Sequence, residues 1–161
     1  MIKAEPLKTA DLTGIESAIC LRDGLVPDAE DAIQTYYGQL AIMPATGSNQ
    51  IGFCVAKNRP YIVDKMEQHQ ESAEVLGAMN GSFIVPCAPS IEVDGKPAPD
   101  FDHMKAIKVE QGEAIMFDVG VWHWTPYAVT PECNVLVCFK KDTPANDFHG
   151  YEISNPVEMS C

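Results

Sequence analysis

With 161 residues, 46% of them hydrophobic and 21% charged, the chain has the size and composition of one globular domain able to bury a core. Its 23 acidic residues against 11 basic ones leave a net charge of −12, which repels phosphate backbones and argues against nucleic acid as a partner. No apolar run reaches membrane-spanning length, the opening MIKAEPLKTADL lacks the layout of a secretion signal, and the six cysteines form no C-x-x-C, so a soluble cytoplasmic protein with reduced thiols and no membrane partner is expected.

The first forty residues read as a mixed lead-in. Leu12, Ile15 and Ile19 recur at helical spacing over residues 8–19, with Thr9 or Asp11 as cap. Residues 28–37 place Ala29, Ile33 and Tyr36 on one side of a second short helix ending near Gly38. From there the chain is strand-like, with candidate strands at 40–43, 51–57, 61–69, 73–79, 81–86, 91–93, 105–109, 114–117, 121–127 and 134–140. Many short runs between turn signals favour a sandwich or barrel. Asn80-Gly81 and Asp94-Gly95 are strong hairpin turns and Gln111-Gly112 is a weaker one. Cys133 and Cys138 flank an apolar run and read as buried packing residues.

Two stretches carry chemistry. The first runs Glu67-x-His69, four residues, Glu74, six residues, Gly81. The second runs Gly112, five residues, Asp118-x-Gly120, two residues, His123. Strand side chains alternate faces, so Lys65, Glu67 and His69 share one wall, Glu74 lies with Leu76 and Ala78, and His123 lies with Val121, Thr125 and Tyr127. Two imidazoles and two carboxylates converging in a barrel are the donor set of a borderline divalent metal. The competing register turns Glu67 and His69 to solvent and Met66 and Gln68 inward. His103 reads as a surface residue, His149 as a tail residue near the barrel mouth, and Trp122 and Trp124 as core or interface aromatics. Asp118, ahead of Gly120, suits a turn or a pocket acid.

Those spacings resemble the two motifs of the cupin superfamily. Glu67 stands in the first His position, while His69, Glu74, Gly81, Gly112, Gly120 and His123 match; Asp118 replaces a Pro and Tyr127 an Asn. Within cupins the chain is most similar to the ureidoglycolate lyase family. The likeness rests on Met66-Glu67-x-His69, on Phe83-Ile84-Val85-Pro86 and, most specifically, on Gly120-Val121-Trp122-His123. It departs where the family has Tyr-His-Arg, here Phe117-Asp118-Val119, and where a second His follows Trp-His, here Trp124.

The resemblance implies an all-β, cupin-type double-stranded β-helix (a jelly-roll barrel) with a short helical N-terminal region. It would form one domain over 1–161: lead-in 1–40, barrel 40–140 and tail 141–161. It implies a homodimeric carbon–nitrogen lyase that splits ureidoglycolate, or a related small hydroxy acid, into glyoxylate and urea. Glu67, His69 and His123 are then the catalytic candidates, and Lys65, Arg59, Asp118 and Tyr127 the substrate-binding ones. His69, Glu74, His123 and Glu67 are candidate ligands for a divalent metal, Mn, Ni, Zn or Fe. A cupin of other metal-dependent chemistry, an isomerase or dioxygenase, and a non-catalytic small-ligand binder are the alternative readings.

Overall fold

Short runs of β-branched and aromatic residues, each closed by Gly, Pro or Asn, make nearly all of this chain extended. The computed structural model describes residues 1–38, 40–44 and 47–161. Among these, one sheet runs in spatial order Ile2–Lys3, His149–Ser160, Ile62–Gln68, Trp122–His123, Phe83–Ala88, Lys105–Val109 and Glu5–Pro6, with Tyr127–Ala128 also paired to Phe83–Ala88. The second runs Glu16–Ile19, Ala114–Phe117, Glu74–Ala78, Glu132–Lys140 and Asn49–Lys57. From residue 105 onward, and again from 49 to 88, successive main-sheet strands fall alternately in one sheet and the other, with Trp122–His123 and Tyr127–Ala128 counted as two pieces of one interrupted strand. That winding is the jelly-roll arrangement expected from the sequence.

Alternation decides what each strand buries. Phe83, Val85 and Cys87 point between the sheets, where they meet Leu76, Ile115, Phe117 and Val135. Ile84 and Ala88 point the other way, into a second cluster with Met66, Trp122 and Tyr127. Phe83–Ala88 is therefore buried along its whole length, which explains its unbroken apolar run FIVPCA. Each large side chain fully removed from water there contributes about 1.5–3 kcal/mol.

The helical lead-in does not form. Over residues 8–19 the amides of Thr9 and Ala10 donate to the Pro6 carbonyl, and the Asp11 carboxylate accepts from the Thr13 amide and hydroxyl. Such local side-chain bonds offer the backbone an alternative to a helix. Glu16–Ile19 then pairs antiparallel with Ala114–Phe117. Residues 28–37 instead form a hairpin of Ala29–Glu30 with Thr35–Tyr36, whose turn is held by Asp31 accepting from the Ile33 and Gln34 amides. Residues 40–43 are not a strand.

Of the turns, Asp94-Gly95 behaves as expected: both residues have positive φ, 51° and 75°, and they join Ser90–Val93 to Lys96–Pro99. The expected strand over 121–127 is broken by Trp124-Thr125-Pro126, since Pro126 has no amide to give the ladder. The segment 141–161, read as a tail, carries the twelve-residue strand His149–Ser160, which pairs with Ile62–Gln68 in the first sheet. Its apolar residues Tyr151, Ile153, Val157 and Met159 reach the second cluster, and a register shift between Glu152 and Val157 masked the periodicity.

Candidate active site

The site forms where the ends of three strands meet between the sheets. Glu67 lies near the end of Ile62–Gln68 and sits directly opposite His123, the last residue of Trp122–His123. His69 is one residue past its strand, and its carbonyl accepts the Gly120 amide at 2.7 Å, so the two sequence motifs are joined by a backbone bond. Gly120 takes φ of 82° there, a conformation that glycine adopts freely. Glu74 comes from the opposite layer as the first residue of Glu74–Ala78. Met66 and Gln68 face away yet are also buried. The competing register fails because both faces of this strand are covered.

Donor atoms of Glu67, His69 and His123 lie within 4.8 Å of one another. The Nε2 atoms of His69 and His123 both approach Glu74 Oε2, at 3.0 and 3.1 Å. On the far side of each ring a backbone carbonyl accepts from Nδ1, that of Asp147 for His69 at 2.7 Å and that of Val121 for His123 at 3.0 Å. Carbonyls can only accept, so both Nδ1 atoms carry protons and both Nε2 atoms are aimed at one point. The Phe117 ring stacks on His123 with centroids 4.8 Å apart and holds the imidazole plane.

Burial pulls on these groups in different ways. Removal from water would raise the Glu74 carboxyl, but hydrogen bonds from His123 and His69 outweigh it and hold the group down to about 2. For His69, burial works against the charged ring, while the bonds to Glu74 and to the Asp147 carbonyl raise it above its ordinary value. Burial raises the Glu67 carboxyl against the pull of His123.

A cavity of about 310 Å³ exposes this cluster. Glu67, Glu74 and His123 line it together with Trp124 and Pro126 on one side and Phe139 on the other. Among the described residues its lining carries no Lys or Arg. The chemistry it can perform is proton transfer by a carboxyl of raised affinity beside a preoriented carboxylate–imidazole ligand set.

The remaining predicted residues fall outside. Arg59 donates to the Thr125 and Pro126 carbonyls at 2.9 and 2.8 Å and lies 3.6 Å above the Tyr127 ring, bracing the cavity wall from behind. Tyr127 is buried in the second cluster and donates its hydroxyl to the Ile62 carbonyl, because the break at Pro126 cancels the parity that had placed it beside His123. Asp118 is exposed in the turn, where its carbonyl accepts the Val121 amide. Lys65 stays near: its Nζ sits 5.0 Å from the centre of the Trp124 ring, which lines the cavity. His103 pairs with Asp100 and is exposed, and His149 is exposed beside Asp147. Asp147 itself escaped the sequence reading; its partner His69 is 78 residues away and no local pattern marks it.

Fold and site together define a jelly-roll β-barrel with a mixed carboxylate–imidazole centre. The chain belongs to the ureidoglycolate lyase family, whose model matches residues 28–160. No curated protein matches it. Among solved structures, procruciferin, an 11S globulin of Brassica napus, is 10% identical with a TM-score of 0.42 over 65% of this chain and 22% of that one. Bacillus subtilis oxalate decarboxylase is 14% identical with a TM-score of 0.38 over 63% and 23%. Another structure of that enzyme is 11% identical with a TM-score of 0.37 over 81% and 35%. This chain thus spans between 22% and 35% of the length of those chains.

Proposed function

We propose that this protein cleaves ureidoglycolate into glyoxylate and urea. The observation that carries the reading is the convergence of Glu67, His69, Glu74 and His123 on one another, with Glu67, Glu74 and His123 lining one cavity, in a chain of the ureidoglycolate lyase family. In the reaction the substrate hydroxyl loses its proton as its oxygen becomes the aldehyde carbonyl, the carbon–nitrogen bond breaks, and the leaving nitrogen gains a proton. Glu67 suits both transfers, since burial raises its carboxyl toward the working range of a general acid–base. Lys65, shifting from the Trp124 ring, is the cation best placed to meet the substrate carboxylate.

The donor set fits a divalent metal, because both Nε2 atoms are preoriented by carbonyls behind them and a carboxylate stands between them. His69, Glu74 and His123 would hold it with Glu67 adjacent, and such an ion, Mn, Ni, Zn or Fe, stabilises developing negative charge on oxygen. The test is glyoxylate release from ureidoglycolate by the purified protein after chelation and after adding back Mn, Ni or Zn. Release that disappears in Glu67→Gln and His123→Ala supports the reading, and no release with any of the metals refutes it.

A homodimer in the cytoplasm belongs to the same proposal. Asn49–Lys57 ends its sheet among the described residues and exposes Ile51, Phe53 and Val55, an edge suited to a second copy. Trp122 does not serve there, being buried and bonded to Ser90. All six cysteines are free, in keeping with a reducing compartment, and no helix among the described residues is long and apolar enough to cross a membrane. Light scattering on the purified protein tests the dimer; a monomer at micromolar concentration overturns it.

A further inference from the structure

Asp147 lies outside the cavity lining, yet its polar groups converge on the segment that carries His69. Its side chain is buried, with the residue only 5% exposed. One carboxylate oxygen accepts the Gln70 amide and the other the Glu71 amide, both at 2.8 Å. Its carbonyl accepts His69 Nδ1 at 2.7 Å. Its own amide donates to the Thr143 carbonyl, which closes the single helical turn Thr143–Asn146 and fixes the residue from behind. From outside, the His149 ring approaches Oδ1 at 3.3 Å.

This concentration of bonds answers a local need. His69 has left the Ile62–Gln68 ladder, and the next two amides belong to a loop with no strand partner. The Asp147 carboxylate satisfies both, and the same residue's carbonyl holds a proton on Nδ1 of His69. Holding the proton on Nδ1 leaves Nε2 to face Glu74 and the cavity side of the cluster. A plain structural staple needs the two amide bonds alone; the third bond, to the imidazole, is what links the clamp to chemistry.

We propose that Asp147 is the positioning residue of this centre: it holds the 69–71 loop and His69 in the Nδ1-protonated form, and thereby sets affinity for a divalent cation. The inference rests on the metal-centre reading above but not on the identity of the substrate. Partners of this kind behind a ligating histidine are typically worth about 10–100-fold in metal affinity.

The test is titration of the metal-free full chain with Zn or Mn alone, followed by calorimetry, beside thermal melts and circular dichroism. Asp147→Asn keeps shape but presents an amide where two acceptors are required, and it is expected to weaken metal binding about tenfold or more while the protein stays folded. His149→Ala, which touches Oδ1 only from the solvent side, is expected to leave affinity unchanged. A folded Asp147→Asn protein with wild-type metal affinity and only a lower melting temperature overturns the proposal. Should the variant not fold, the wild type still decides. Nitrogen-15 spectra of its histidine rings, taken with Zn bound, are expected to show His69 holding the metal through Nε2 and its proton on Nδ1. Coordination through Nδ1, or no Zn bound to His69, overturns the proposal whatever the variants do. Absence of ureidoglycolate turnover leaves both readouts standing, so failure of the activity and failure of this inference are distinguishable.

Discussion

Replacing Glu74 with Gln isolates the charge at the heart of the site with almost no change of shape. The carboxyl falls from 4.5 to about 2 in the folded chain, a difference that already nets burial against the two imidazole bonds. At 1.36 kcal/mol per pKa unit this is about 3 kcal/mol of stability held by the ionised form. Because the folded value is depressed, that contribution is present above about 4.5 and is lost as pH falls toward about 2. His69 moves the other way: raised from 6.5, it stabilises fully below that value and its share is lost as pH rises through the folded value. Both conditions hold between about pH 4.5 and 6.5, and because they describe one interaction seen from two partners the energy is counted once. Metal-free Glu74→Gln is therefore expected to be about 3 kcal/mol less stable than wild type near pH 5.5, with a shallower decline toward pH 8. Urea denaturation in chelator across that range measures both quantities, given unchanged m values. Equal stability at the lower pH, or parallel pH profiles for the two proteins, refutes the reasoning.

Tyr127→Phe removes the bond to the Ile62 carbonyl and is expected to cost about 1 kcal/mol with KM unchanged. A large rise in KM at wild-type stability would instead put the hydroxyl on the substrate. Arg59→Lys cannot reproduce the fork onto the Thr125 and Pro126 carbonyls; about 1–2 kcal/mol of stability and part of kcat/KM are expected to go, as melts and initial rates would register. Gly95→Ala meets open space but strains a φ of 75°, so a loss of about 1 kcal/mol in urea with full activity is expected, since no residue of that hairpin lines the cavity, and a change in activity contradicts this.

Strand positions that alternate cleanly were legible in the sequence. Residues 105–109 and 114–117 occupy the expected elements, and Glu67, His69, Glu74 and His123 converge as their spacing suggested. What misled was local chemistry overriding pattern. Leu12, Ile15 and Ile19 have helical spacing, yet Asp11 and Thr13 bond to one another and the chain that follows finds a strand partner at residues 114–117, far along the sequence. Pro126 ended a strand one turn too early for Tyr127 to share the face of His123. Arg59 looked available because nothing in its neighbourhood announces the carbonyls of residues 125 and 126, and Asp147 was invisible for the same reason. Contacts across the fold are what composition and period cannot encode.

Glu74 hangs from one layer of the barrel, while Glu67, His69 and His123 hang from the other. An ion held by Glu74 from one layer and by His69 and His123 from the other would act as a rivet through the sandwich, tightening only when both halves have closed and letting go when either peels away. Loading the centre should then slow the opening of the whole molecule, far beyond the few residues that touch the cargo.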